Sequence, residues 1–128
     1  MGNDINYTLT IETIPYYGGN YPVFNVEDTF DASLTYKEDT LVVKADGTQL
    51  VKNTDYTVNV DGQKVTINFV VDGEYKLNNY QGKTVVVTYT ARLNEKAKFN
   101  TNANVNTATL TFTYDRKHIF ALRIMAGR

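Results

Sequence analysis

Apolar and polar residues alternate along most of this 128-residue chain. Ile5, Tyr7, Leu9 and Ile11 are separated by Asn6, Thr8 and Thr10, a period of two that predicts a half-buried β-strand. Pro15 ends it, and Tyr17-Gly18-Gly19-Asn20 reads as a loop. Residues 23–30 predict a second strand with Phe24, Val26, Asp28 and Phe30 on one face. Short strands are expected at 34–36 and 40–44. Asp46-Gly47 then signals a tight hairpin, because both central positions of a type I′ turn need φ > 0, and its partner strand would hold Leu50 and Val51. Tyr56, Val58 and Val60 pair with Val65, Ile67 and Phe69 in a hairpin about Asp61-Gly62. Residues 83–93 form a long Val/Thr strand, and the Asn-rich stretch 95–104 reads as a loop with one helical turn. Asn106, Ala108, Leu110, Phe112 and Tyr114 alternate with threonines, and Asp115-Arg116-Lys117-His118 reads as a turn. Residues 119–126 fit a strand or a short helix.

About eight or nine short strands, turns every ~8–12 residues and no amphipathic helix predict an all-β, immunoglobulin-like sandwich. The length suits one domain with a real core. Ten Tyr, no Trp and Thr at about one residue in seven is a sheet-forming composition. With no Cys, disulfides and thiolate metal sites are excluded. No run approaches the ~20 apolar residues of a membrane span, so no membrane contact is expected. The polar start Met1-Gly2-Asn3-Asp4 lacks a leader's apolar run, so an exported protein would contain this chain as a piece.

Charge divides the chain. Residues 1–115 carry nine Lys/Arg against fourteen Asp/Glu, whereas residues 116–128 hold Arg116, Lys117, Arg123 and Arg128 and no acid. The domain is therefore read as 1–115. Residues 116–128 are a basic, apolar segment that is either an extra strand or a non-native appendage. As a strand, Phe120, Leu122 and Ile124 would cover core in the same chain or in a strand-swapped dimer. The body has no basic patch, which argues against nucleic acid.

Catalytic chemistry finds little material. His118 is the sole histidine, lies in a turn beside Arg116 and Lys117, and has no Gly-x-Ser-x-Gly to serve, so no turnover enzyme is expected. A lone His without Cys makes a poor metal site. Asp46, Asp55, Asp61 and Asp72 fall in or beside turns without the dense oxygen-ligand spacing of a calcium loop. No cofactor is expected. Tyr16, Tyr17, Tyr21, Tyr75 and Tyr80, if exposed, could stack on sugar rings, and they equally suit strand and loop packing.

Two polar residues break the apolar faces. Asp28 shares a face with Phe24, Val26 and Phe30, and Asn106 shares one with Ala108, Leu110 and Phe112. Turned inward, each needs a partner, because an unpaired buried polar group costs several kcal/mol. The alternative is that each sits at its strand's end and satisfies nearby backbone.

At these residues the chain resembles the isopeptide-forming fimbrial domains of Gram-positive surface proteins, close to the collagen-adhesin type of sandwich. The matching pieces run in order. They are Asn6-Tyr7-Thr8-Leu9-Thr10 with Ile14-Pro15, then Phe24-Asn25-Val26-Glu27-Asp28-Thr29-Phe30 and Leu34-Thr35-Tyr36. Asp55-Tyr56-Thr57-Val58, Val86-Val87-Thr88-Tyr89-Thr90-Ala91 and Asn104-Val105-Asn106-Thr107-Ala108-Thr109-Leu110 follow. The resemblance implies a chemistry in which a buried Lys amine attacks a buried Asn amide, releases ammonia and leaves a covalent cross-link promoted by a nearby acid. An apolar site favours it by keeping the amine neutral and the acid protonated. By position, Asn106 is the implied acceptor and Asp28 the implied acid. The family's reactive Lys lies on a strand upstream of residues 6–10, where this chain has no Lys before Lys37. Lys117 is the one late candidate donor. The expectation is a structural module of a surface adhesin or pilus shaft, outside the cell or on its wall, without the bond in this chain. Its partners would be neighbouring domains or subunits of a surface polymer. A carbohydrate- or matrix-binding module, with a host glycan or matrix ligand, is the alternative.

Overall fold

The computed structural model describes residues 4–14, 23–94, 106–112 and 124–127. Among them are eleven strands: β1 (Asp4–Ile11), β2 (Phe24–Phe30), β3 (Leu34–Ala45), β4 (Thr48–Gln49), β5 (Thr57–Asp61), β6 (Lys64–Asn68), β7 (Val70–Val71), β8 (Glu74–Tyr75), β9 (Val85–Leu93), β10 (Asn106–Phe112) and β11 (Ile124–Gly127). A single 3₁₀ turn, Asn78–Tyr80, interrupts them. One sheet runs in the order β11-β1-β9-β3-β4, the other β10-β2-β6-β5, and β7 pairs with β8. The ladders between these strands are antiparallel.

The period of two is what makes this a sandwich. Tyr7, Leu9 and Ile11 of β1 and Val85, Val87, Tyr89 and Ala91 of β9 are buried from one sheet. Phe24, Val26, Asp28 and Phe30 of β2 and Val65 and Ile67 of β6 are buried from the other. The side chains that alternate with them are mostly Thr, Asn and charged residues, so each sheet keeps one wet face.

Local expectations shifted where a turn decides the register. Residues 34–45 form one strand rather than two, with a register break between Lys37 and Val42. Asp46 (φ 50) and Gly47 (φ 79) adopt the left-handed turn that their sequence predicts. Its partner strand stops at Gln49. Leu50 still donates its N–H to Val43, but Val51 has turned outward and is 58% exposed. In the β5–β6 hairpin Asp61 pairs with Lys64, so the two-residue loop is Gly62-Gln63, one residue later than expected, with Gly62 at φ 60. A small β7–β8 hairpin turns at Asp72 (φ 53) and Gly73 (φ 80), where no strand was expected. In the tail, Ile124–Gly127 pairs with residues 8–11 of β1. Residues 95–104, Tyr114 and residues 115–123, with Lys117, His118, Phe120 and Leu122, lie outside the described residues.

Candidate functional site

β2 is an inner strand, flanked by β10 and β6. Asp28 sits mid-strand, opposite Ala108 on one side and Val65 on the other. It is 3% exposed, which removes the strand-end explanation for an acid on an apolar face. A carboxyl in such surroundings must be hydrogen-bonded to persist. Tyr89 reaches across from β9 in the facing sheet, and its hydroxyl donates to Asp28 Oδ2.

An aromatic cluster fixes that bridge. The Tyr7 ring stacks on Tyr89 with centroids 5.6 Å apart, and Phe30 meets Tyr89 edge-on at 5.9 Å. Tyr36 stacks on Phe30 at 5.9 Å and approaches Tyr89 edge-on at 6.2 Å. These are preferred arrangements for ring quadrupoles. The Tyr36 hydroxyl is buried without a hydrogen-bond partner among the described residues. Burial pushes its pKa up to about 12, with the Glu38 charge adding to the shift. A cavity of ≈ 10 Å³, about the least space that holds a water, lies between Asp28, Phe30, Tyr36, Leu41 and Tyr89.

The register break in β3 falls at this point. Lys37 pairs with Thr90 and Val42 with Thr88, so residues 38–41 lie opposite Tyr89 alone. Thr40 stitches the bulge closed. Its hydroxyl donates to the Lys37 carbonyl and accepts the Thr90 N–H, replacing a ladder bond that the extra residues would have cost. Bulges of this kind re-aim side chains, and here Tyr36 just before it and Leu41 at its end line the cavity.

Asn106 opens β10 opposite Phe30, two residues from the Ala108–Asp28 pair. The backbone register thus makes Asn106 and Asp28 diagonal neighbours on adjacent strands, a relation that spans ~7–8 Å. On the outer face of the other sheet, Asp4 accepts from Lys37 at 3.3 Å and Arg92 at 2.9 Å. The Arg92 hydrogen bond leads in holding the Asp4 carboxyl below its usual range.

Other candidates resolve differently. Tyr75 and Tyr80 are half-buried and pack on the core, Tyr75 edge-on to Phe24 at 5.6 Å. Tyr16, Tyr17 and Tyr21 lie outside the described residues. Asp46 and Asp72 hold left-handed turn positions, and Asp55 accepts the Val51 N–H within its own turn. Among the described residues no three potential metal ligands converge. Sequence reasoning passed over Tyr89, Tyr36 and the bulge. The signal for Tyr89 was its parity with Val85, Val87 and Ala91, which turns its hydroxyl toward the core.

Comparison with known proteins gives a consistent picture. The family model described as the Sgo0707 N2 domain matches residues 1–125. The chain is 30% identical over 97 residues to fimbrial subunit type 2 of Actinomyces naeslundii, a match covering 74% of this chain and 18% of the subunit. Among solved structures, the N-terminal domain of the Streptococcus gordonii adhesin Sgo0707 superposes with a TM-score of 0.66 at 28% identity, over 86% of this chain and 25% of that one. The pilus backbone protein RrgB of Streptococcus pneumoniae gives 0.66 at 26% identity, over 87% and 25%. The chain therefore spans a quarter or less of each of these proteins.

Proposed function

This chain belongs to the Sgo0707 N2 domain family, and from that premise we propose that it is a structural module of a bacterial surface adhesin or pilus shaft, displayed outside the cell. Its partners are the neighbouring domains or subunits of that polymer. The observation that carries the reading is Asp28, an acid buried in mid-strand among aromatic rings and diagonal in register to Asn106. A module built only to space its neighbours would lose nothing with a hydrocarbon there.

In this reading Asp28 is the promoting acid and Asn106 the acceptor of an intramolecular Lys–Asn cross-link. The chain has no Lys before Lys37, so the amine would be that of a Lys on a strand added at a sheet edge. The open geometry of the sheets supports it: among the described residues β10 has a ladder partner on one side only, β2, and β11 covers only residues 8–11 of β1. A sheet edge of this kind is completed by an added strand. Without that strand the chain forms no bond, and its intact mass equals the sequence mass, without the ~17 Da that leaves as ammonia.

The test of the functional class is a glycan array together with a collagen-binding assay on the purified chain. A structural module binds neither. Saturable binding to a glycan or to collagen would replace this reading with that of a ligand-binding module.

A further inference from the structure

Nothing in the family reading assigns a role to Tyr89. We infer that Tyr89 is a positioning residue for the Asp28 carboxyl. Its hydroxyl engages Oδ2, so that proton exchange with the reacting amine and amide runs through Oδ1. The inference rests on the cross-linking reading above.

A carboxyl's terminal torsion is broad and nearly two-fold, so an untethered Asp presents either oxygen at a range of angles. The hydrogen bond from Tyr89 removes that freedom. Tyr89 is itself held, stacked by Tyr7 and met edge-on by Phe30 and Tyr36. Its backbone is anchored on the other side of the core, at the one rung where β3 bulges away. The bond therefore ties the acid in one sheet to a fixed point in the other.

The chemistry needs such a fixed oxygen. The Lys Nζ lone pair forms a bond to Asn106 Cγ, and the bond from Cγ to the amide nitrogen breaks. The attacking nitrogen gives up one proton and the departing nitrogen gains one, leaving as ammonia. The protonated Asp28 carboxyl gives one proton to the departing nitrogen and takes one back from the attacking nitrogen at the same oxygen, so Asp28 ends as it began. Misplacing a proton-transfer group by ~1 Å costs on the order of 10²-fold in rate, so a carboxyl that swings between poses pays in rate.

The experiment uses the longer parent polypeptide with its native upstream segment. Bond formation is followed as the loss of ~17 Da after refolding, in H₂O and in D₂O. Tyr89→Phe keeps the ring and removes the hydroxyl. Tyr56→Phe removes the hydroxyl of a buried tyrosine that packs on Phe69, outside this cluster, and serves as the control. We expect Tyr89→Phe to form the bond at least tenfold more slowly, with a larger solvent isotope effect and a wild-type circular dichroism spectrum, while Tyr56→Phe reacts at the wild-type rate. A wild-type rate in Tyr89→Phe overturns the inference, as does an equal slowing in both variants, which would be a packing effect. If the parent polypeptide keeps its full mass, or Asn106→Ala still loses ammonia, the cross-linking reading falls and the inference falls with it.

Discussion

The two ends of β2 carry the same alternating pattern and have been put to different use. At one end Phe24 meets Phe69 at 5.9 Å and Tyr75 at 5.6 Å, and Phe24 and Val26 are fully buried. That end also takes the Phe69 N–H on the Phe24 carbonyl, closing the strand pair. At the other end the same face presents Asp28 and Phe30 to three tyrosines. One end is ordinary hydrocarbon core, whose value is the water it excludes. The other places hydroxyls and a carboxyl where hydrocarbon would fold as well.

The comparison can be broken most forcefully at the apolar end. Phe24→Ala is expected to cost about 3–5 kcal/mol, the usual loss for a truncated core aromatic. Urea unfolding with an unchanged m-value would measure it. A loss below ~1 kcal/mol would mean that this end is not the stabilising half.

At the polar end the expected pattern is non-additive. Tyr89→Phe alone removes the donor from a buried carboxyl and is expected to cost about 1.5–3 kcal/mol. The pair Asp28→Leu with Tyr89→Phe should return to within about 1 kcal/mol of wild type, because both partners become apolar together. A double-mutant cycle on the same unfolding curves tests this, and strictly additive losses would contradict it.

Alkaline pH should sharpen the contrast more gently. The Tyr36 phenol titrates near 10 when unfolded and at about 12 in the fold, since burial disfavours its charge. The unfolded chain therefore binds fewer protons across that interval. The contribution is fully present below pH 10 and is lost as pH rises through about 12. Denaturant midpoints should fall across this window, and Tyr36→Phe should flatten that fall.

The smallest effect is expected on the outer face. Asp4 pairs with Arg92 and Lys37 in water, where salt and side-chain entropy offset the attraction. Asp4→Asn should leave the melting midpoint within experimental error at physiological salt. A clear drop would show that the wet face also carries stability.

How legible these two ends were depended on what each feature asks of the sequence. Strand parity needs only the period of two, so Phe24, Val26, Asp28 and Phe30 could be put on one face without coordinates. An acid in that series was visible as an anomaly for the same reason. Tyr89 was harder. A Tyr among Val and Thr is ordinary strand composition, and only the meeting of two sheets shows that its hydroxyl reaches Asp28. The bulge at residues 38–41 left no local mark, because Lys37, Glu38 and Asp39 read as a polar break between two strands. What joins them is the Thr40 hydroxyl acting in place of backbone. Turn positions were legible to within a residue: Asp46-Gly47 sat where expected, but the β5–β6 loop moved to Gly62-Gln63. Asp72-Gly73 carried the same turn signal, with flanking strands of two residues each, too short to show a period.

The pairing of β11 with β1 has a mechanical consequence. The strands are antiparallel and share four rungs, from Thr8–Gly127 to Ile11–Ile124. Asp4 and Gly127 therefore lie toward the same end of the sheet. A tension applied between them pulls the rungs open in sequence, like a zipper, instead of shearing all four at once. Each rung then resists alone, and in a single-molecule pulling experiment β11 should peel away in a small first step before the body of the sandwich yields.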